Sequence, residues 1–179
     1  FCLSRGLGDV YKRQAVANRV LPTLTLDSGL VFERDTRWFG RSVAQTLEPR
    51  AFYAKTPFRD QSMLPVYDSG ITDFNLSTIY SENTFVGNDR LIDNDALTLG
   101  VTSRFFDTVN GAELLRFGLA QRIRFSDQRV LLNNTQVPAT TGLSDLLVGA
   151  GVRWDNRWAL DNTVPVSYTH LTLPTNREV

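Results

Sequence analysis

The stretch LRFGLAQRIRF, residues 115–125, decides the fold. Leu115, Phe117, Leu119, Ile123 and Phe125 share one face of an extended chain, against Arg116, Gly118, Ala120, Arg122 and Arg124 on the other. A helix would scatter both sets around its circumference, whereas a strand separates them. The same period of two recurs on either side. Val20, Leu24, Leu26, Leu30 and Phe32 oppose Thr23, Thr25, Asp27 and Glu33. Val43, Leu47, Pro49, Ala51 and Tyr53 oppose Thr46, Glu48, Arg50 and Thr56. Leu97, Leu99, Val101 and Phe105 oppose Thr98, Gly100, Thr102 and Arg104. Leu146, Val148, Ala150, Val152 and Trp154 oppose Asp145, Gly149, Gly151, Arg153 and Asp155, and a further run starts at Trp158 and Leu160. Each run is close to the ~9–11 residues that a tilted strand needs to cross a bilayer.

Alternation does not say which face is wet. A soluble sandwich points its apolar face inward, and a membrane barrel points it to lipid. Three features favour the barrel. The polar faces carry Arg and Glu in mid-strand beside Gly and Thr, which suits a hydrated lumen. Aromatic residues gather near strand ends (Tyr53, Phe105, Phe125, Trp154, Trp158), as in a membrane-interface girdle. The connections alternate: short near 34–42, 107–112 and 155–157, long near 57–95 and 127–143. Short turns on one side and long loops on the other are the outer-membrane pattern. The expected fold is therefore all-β, a segment of an antiparallel up-and-down transmembrane β-barrel with about six strands. To keep the parity, Asp73–Tyr80 is read as a short helix inside the 57–95 loop, with Leu76, Ile79 and Tyr80 packing it down. Phe74, Leu76 and Tyr80 also alternate, so a strand is the competing reading.

The 179 residues hold 19 Lys plus Arg and 19 Asp plus Glu, with a formal net charge of zero, which argues against a polybasic nucleic-acid surface. Hydrophobic residues at 42% and charged residues at 21% exclude a disordered chain. The one Cys, Cys2, and the one His, His170, lie in the end segments 1–14 and 165–179, which break the pattern and look like translated sequencing-adaptor read-through. Setting those ends aside removes Arg5, Lys12, Arg13 and Arg177 and the acids Asp9 and Glu178, leaving 15 basic and 17 acidic residues in a barrel domain over 15–164. That core has no Cys or His, so the common nucleophilic dyads and triads and a zinc site are missing. No catalytic, cofactor or metal site is expected. Asp89, Asp93 and Asp95 lack the Gly turn and closing Glu of a calcium loop. No phosphate-binding Gly-Lys-Ser/Thr loop marks an energy source.

The run QTLEPRAFYAKTPFRDQSMLP, residues 45–65, resembles the LPS-assembly (LptD, also called OstA) family of the Gram-negative outer membrane. So does the order that follows: Asp73-Phe74, Ile79-Tyr80, Phe85, Gly87, Asp89-Arg90, LTLGVTSRF over 97–105, Arg116-Phe117 to Gln121, and the Trp154/Trp158 hairpin. The resemblance covers roughly Ala15–Thr163. It implies a very large barrel preceded by a periplasmic lipid-binding domain. Through that domain it receives lipopolysaccharide from a periplasmic bridge protein, and a small lipoprotein plugs the lumen. This chain is expected to be an interior piece of that barrel, without the periplasmic domain or the family's disulfide cysteines. Such a piece leaves strand edges unpaired in hydrocarbon, so on its own it should aggregate or depend on detergent.

Three sets of residues follow from this reading. Glu48, Arg50, Arg104, Arg116, Arg122, Arg124 and Arg153 face the lumen, either as cross-strand ion pairs or in contact with plug or substrate phosphate, which the planar Arg fork suits. Leu97, Leu99, Val101, Leu115, Phe117, Leu119, Val148 and Val152 face outer-membrane lipid. Arg59, Asp60 and Gln61, with Asp89 and Arg90, form an outer-loop motif that ties the long loop down, so replacing Arg59 or Asp60 should loosen it to protease. Pro49 needs a place where its missing N–H is not wanted, and Asn110-Gly111 is a hairpin turn. The competing functions are another outer-membrane channel or receptor barrel, and a soluble β-sandwich binding module.

Overall fold

A computed structural model describes residues 19–38, 40–87, 89–133, 136–155 and 158–167. The opening segment 1–14 and the closing segment beyond Ser167 lie outside the described residues, as does the Trp154 side chain. The elements are β1 (Leu24–Gly29), β2 (Phe32–Trp38), β3 (Arg41–Thr56), β4 (Gly70–Ile71), a single 3-10 turn (Thr78–Tyr80), β5 (Phe85–Val86), β6 (Asn94–Asp107), β7 (Glu113–Arg124), β8 (Gly142–Leu143), β9 (Leu146–Asp155) and β10 (Trp158–Val166). All of the strand pairings are antiparallel. β1 and β2 lie end to end along β3, and the sheet continues β3-β6-β7-β9-β10, with β8 extending the tip of β7 and β4-β5 forming a separate ribbon. This is the expected up-and-down order.

The connections divide as expected. At one end are Gly40 (φ 79°), which lets the chain reverse between β2 and β3, and the 108–112 turn, where Gly111 (φ 69°) donates to the Asp107 carbonyl at 2.8 Å. At the other end are the long connections 57–93 and 125–145. Two expectations change. The connection near 34–42 shortens, because β2 continues to Trp38 in register with β3, which starts at Arg41. Charged residues on both faces of β2 hide it from a search for alternating polarity, while its backbone ladder is complete. The helix over 73–80 contracts to the one 3-10 turn, with neither a longer helix nor a spanning strand.

Pro49 sits in mid-β3. Its carbonyl accepts the Leu30 N–H at 3.0 Å, so its missing N–H lies on that same edge. There the ladder breaks at Leu30–Val31, between β1 and β2, while the register stays the same on both sides of the break. The β3-β6 ladder on the other edge is unbroken through Pro49↔Val101.

The sheet turns its apolar face out. Leu24, Leu26, Leu30, Phe32, Leu47, Leu99, Phe117, Leu119, Val148, Leu160 and Val164 are all exposed, Leu30 by 60% and Phe117 by 48%. Leu97, Val101 and Val152 are half-buried, and Leu115 is buried despite its outward parity. A sandwich would bury this set between two sheets. Instead the buried clusters lie where the long connections fold back: Ile79, Ala120 and Leu147 on the inner face, and Phe85, Ile92 and Val130 at the mouth.

Candidate functional site: the inner wall

The inner face is built from the even positions of β3, β6 and β7, which register pairs as Thr98↔Arg122, Gly100↔Ala120, Thr102↔Gly118 and Arg104↔Arg116. It continues through Leu147, Gly149 and Gly151 on β9 and Asp161 and Thr163 on β10. It has two halves of different character.

The half toward the long connections is dry. The strap Asn75–Ser81 of the first long connection lies on it. Ile79 is fully buried against Ala120 and Leu147, with Leu76 and Tyr80 packed alongside. Three glycines make the seat. A Cβ at Gly118 would meet Leu76 Cδ1 at 2.8 Å, one at Gly149 would collide with the same methyl, and one at Gly100 would collide with Tyr80 Oη. Arg122, only 4% exposed, fixes the strap: its guanidinium donates to the carbonyls of Ile79 and Ser81 (3.4 Å to the latter) and to Thr98 Oγ1 at 3.3 Å. Thr98 Oγ1 in turn donates to the Ile79 carbonyl at 3.2 Å. Arg124, also buried, donates to Asn94 Oδ1 at 3.4 Å. Asn75 shapes the strap's start, its Oδ1 accepting the Ser77 N–H at 2.8 Å and the Thr78 N–H at 3.1 Å.

The half toward the short turns is wet. Arg50 grips Asp27 with two bonds, Nε at 2.9 Å and Nη2 at 2.5 Å, and its guanidinium lies 4.4 Å from the Tyr80 ring centre. Arg104 lies between Glu48 (3.6 Å) and Glu113 (3.8 Å), and Arg116 between Glu113 (3.7 Å) and Asp161 (2.6 Å). Glu48, Arg50, Arg104, Arg116 and Asp161 border a hollow of about 840 Å³ that Leu76 and Tyr80 also line. Arg153 is exposed near the end of β9, opposite Ala159, and borders a small recess with Glu113 and Asp161.

At the mouth the outer-loop motif converges on one side chain. Gln61 is buried: Oε1 accepts from Arg19 (2.6 Å) and from the Leu91 N–H (3.2 Å), Nε2 donates to the Leu91 carbonyl (2.7 Å), and Arg90 donates to its main-chain carbonyl. Asp60 accepts the local Ser62 N–H at 2.9 Å, and Arg59 is exposed. Asp89 accepts the N–H groups of Asp68 (2.8 Å) and Tyr67 (2.6 Å), which hold its carboxyl below the usual range. Asp93 joins the two long connections by accepting the N–H groups of Arg129 and Val130 (2.9 Å to the latter). Asp95 binds Lys55 (3.1 Å) and Tyr53 (2.9 Å). The three acids Asp89, Asp93 and Asp95 thus serve three separate places, and no metal-holding cluster occurs among the described residues.

The sequence pattern puts the seven lumen-facing residues on one face but does not distinguish the halves. It also passes over Leu147. Leu147 is an apolar residue at a polar-face position of β9, and that mismatch is the signal that something covers it.

The order of these residues along the chain can be set against known proteins. The family described as LptD, LPS transport system D, matches residues 4–165. The chain belongs to the LptD family. The LPS-assembly protein LptD of Albidiferax ferrireducens is 61% identical over 153 residues, 86% of this chain and 19% of that protein. That of Paracidovorax citrulli is 61% identical over 148 residues (83% and 18%), and that of Ralstonia nicotianae 52% over 149 residues (81% and 18%). The chain thus spans about a fifth of the length of the curated LptD relatives it matches. LptD membership removes the unrelated channel or receptor barrel, as the single open sheet removes the sandwich.

Proposed function

We propose that this chain is part of the wall of an outer-membrane translocon that assembles lipopolysaccharide into the outer leaflet, a transport role and not an enzymatic one. The observation that carries the reading is the inverted sheet: eleven named apolar side chains stand exposed on one face while the ion pairs of Arg50, Arg104 and Arg116 lie on the other. Outward Leu, Val and Phe meet hydrocarbon, and a hydrated inner face takes the polar sugars of a lipid whose acyl chains partition into the membrane. Residues 15–164 form the barrel portion, with β10 running on to Val166. The partners are lipopolysaccharide, the lumen-plugging lipoprotein, surrounding outer-membrane lipid, and the periplasmic bridge protein, which docks through a domain preceding the barrel. Arg50, Arg104 and Arg116 border the hollow and are the inner arginines open to a phosphorylated sugar or to the plug. Arg122 is occupied with the strap and Arg124 with Asn94 at the start of β6.

The full-length protein tests this. Leu119→Arg puts a charge on the lipid face and should cost about 2–4 kcal/mol near the bilayer midplane. It should abolish the heat-modifiable barrel band and lower surface lipopolysaccharide. Thr102→Arg, on the opposite face one residue pair away, should keep both. Equal tolerance of the two would overturn the assigned orientation.

A further inference from the structure

Building on the barrel reading above, we propose that the outward corner made by β2, the start of β3 and the end of β6 is a seat for an anionic phospholipid, whose phosphate is held by Arg34 and Arg41. Register sets Phe32, Arg34, Thr36 and Trp38 of β2 opposite Leu47, Gln45, Val43 and Arg41 of β3, all on one side of the sheet. That side carries the exposed Phe32 and Leu47, and both arginines are exposed on it. They lie toward the short turns, the end at which an outer-membrane barrel meets the periplasmic leaflet.

An arginine on a lipid-facing surface is costly unless its head reaches the headgroups. Arg34 is set for that. Its Nε donates to Gln45 Oε1 at 2.8 Å, Gln45 Nε2 donates to Ser103 Oγ at 3.0 Å, and Ser103 Oγ donates to the Thr46 carbonyl at 2.9 Å. This chain of bonds crosses three strands and steadies the guanidinium through one nitrogen. Among the described residues no carboxylate pairs with Arg34 or Arg41. Asp107, the acid at this end of the same face, accepts the Val109 N–H at 2.8 Å. Between the arginines the floor is apolar: the Trp38 and Phe105 ring centres are 5.4 Å apart, and Val43 is buried. Rings beside cationic heads suit the junction of acyl chain and phosphate. Four residues of β3, about 13 Å, separate Arg41 from the level of Arg34, a span that two long side chains can close around one headgroup. The opposite end of this face differs. There Lys55 is neutralised by Asp95 at 3.1 Å, and Asp95 also takes the Tyr53 hydroxyl. The surplus of positive charge on these strands thus lies at the short-turn end, which fits an anionic partner.

The full-length protein tests this with a photoreactive side chain at Thr36, in bilayer discs of equal phosphatidylglycerol and phosphatidylcholine. Each arginine at an anionic headgroup contributes about a fivefold preference, so adducts sorted by mass should favour phosphatidylglycerol about thirtyfold. Arg34→Gln or Arg41→Gln should each lower this to about fivefold, and both together to parity, with the heat-modifiable band kept. The same probe at Leu24, opposite Lys55, should show no preference. Parity at Thr36 with both arginines present, or an equal preference at Leu24, would overturn the site and leave the barrel standing. Crosslinking at Thr36 mainly to a protein in cells would overturn it too. If the double variant does not fold, salt decides: about 1 M should cut the preference several-fold, and an unchanged ratio would overturn the proposal. No lipid adduct at either position and no heat-modifiable band would instead sink the barrel reading itself.

Discussion

Arg122 and Arg116 sit six residues apart on the same face of the same strand, yet they live in different solvents. Arg122 is buried, bonded to main-chain carbonyls and to Thr98. Arg116 borders an open hollow and pairs with carboxylates. The difference is the strap, which covers one half of the inner wall and only borders the other. A charged residue on a barrel's inner face is thus defined by what the loops above it do, not by its place in the alternation.

The strongest way to break this contrast is Arg122→Ala. It removes a charged donor and leaves the Ile79 and Ser81 carbonyls buried without it, at a cost of about 2–3 kcal/mol. Urea titration of the heat-modifiable band should show that loss, and 1 M salt should not reproduce it, because buried pairs are little screened. Gln61→Ala removes the hub of the mouth and should cost about 1–2 kcal/mol, read as faster protease cutting within 62–91. Arg59→Ala, an exposed neighbour, should leave the cutting rate as it was.

Acid separates mouth from wall. Asp89, held low by the Asp68 and Tyr67 N–H groups, and Asp127, held low by the Thr141 N–H, stabilise the loops fully above the unfolded carboxyl value near 3.9. Their contribution is lost as pH falls through the depressed folded values. Pepsin cleavage of both long connections, divided at each pH by its cleavage of an unfolded substrate, should therefore stay flat from pH 5 to about pH 4 and rise below it. A rise of that ratio already between about pH 5 and pH 4.5 would contradict the assignment. The smallest effect belongs to Arg116→Ala, about 0–1 kcal/mol, because its ion pairs face water. High salt should erase even that.

These two halves also mark the limit of what the sequence discloses. Faces, strand order and the side of each long connection follow from a period of two, since side-chain parity is a local property of an extended chain. Leu76, Ile79 and Tyr80 carry a packing signal in their spacing. Where they dock does not follow locally: it takes the register of β6, β7 and β9 to set Gly118 opposite Gly149 with Gly100 one step along the same face. The same holds for Gln61 over Arg59 and Asp60. Within RDQ the charged residues attract notice, but burial selects the one side chain that both donates and accepts without carrying charge. β2 escapes notice for the opposite reason, as its ladder bonds are regular while its side chains are polar on both faces.

Pro49 leaves a mark beyond its own position. With no donor to give Leu30, the edge of the sheet is joined there by a single bond, and the segments on either side are tied independently, one through Asp27 and Arg50, the other through the Phe32 to Trp38 ladder. Bending of the wall will concentrate at that seam. Amide exchange at Val31 will outpace that of its neighbours, and the two ends of this edge will flex as separate leaves of one hinge.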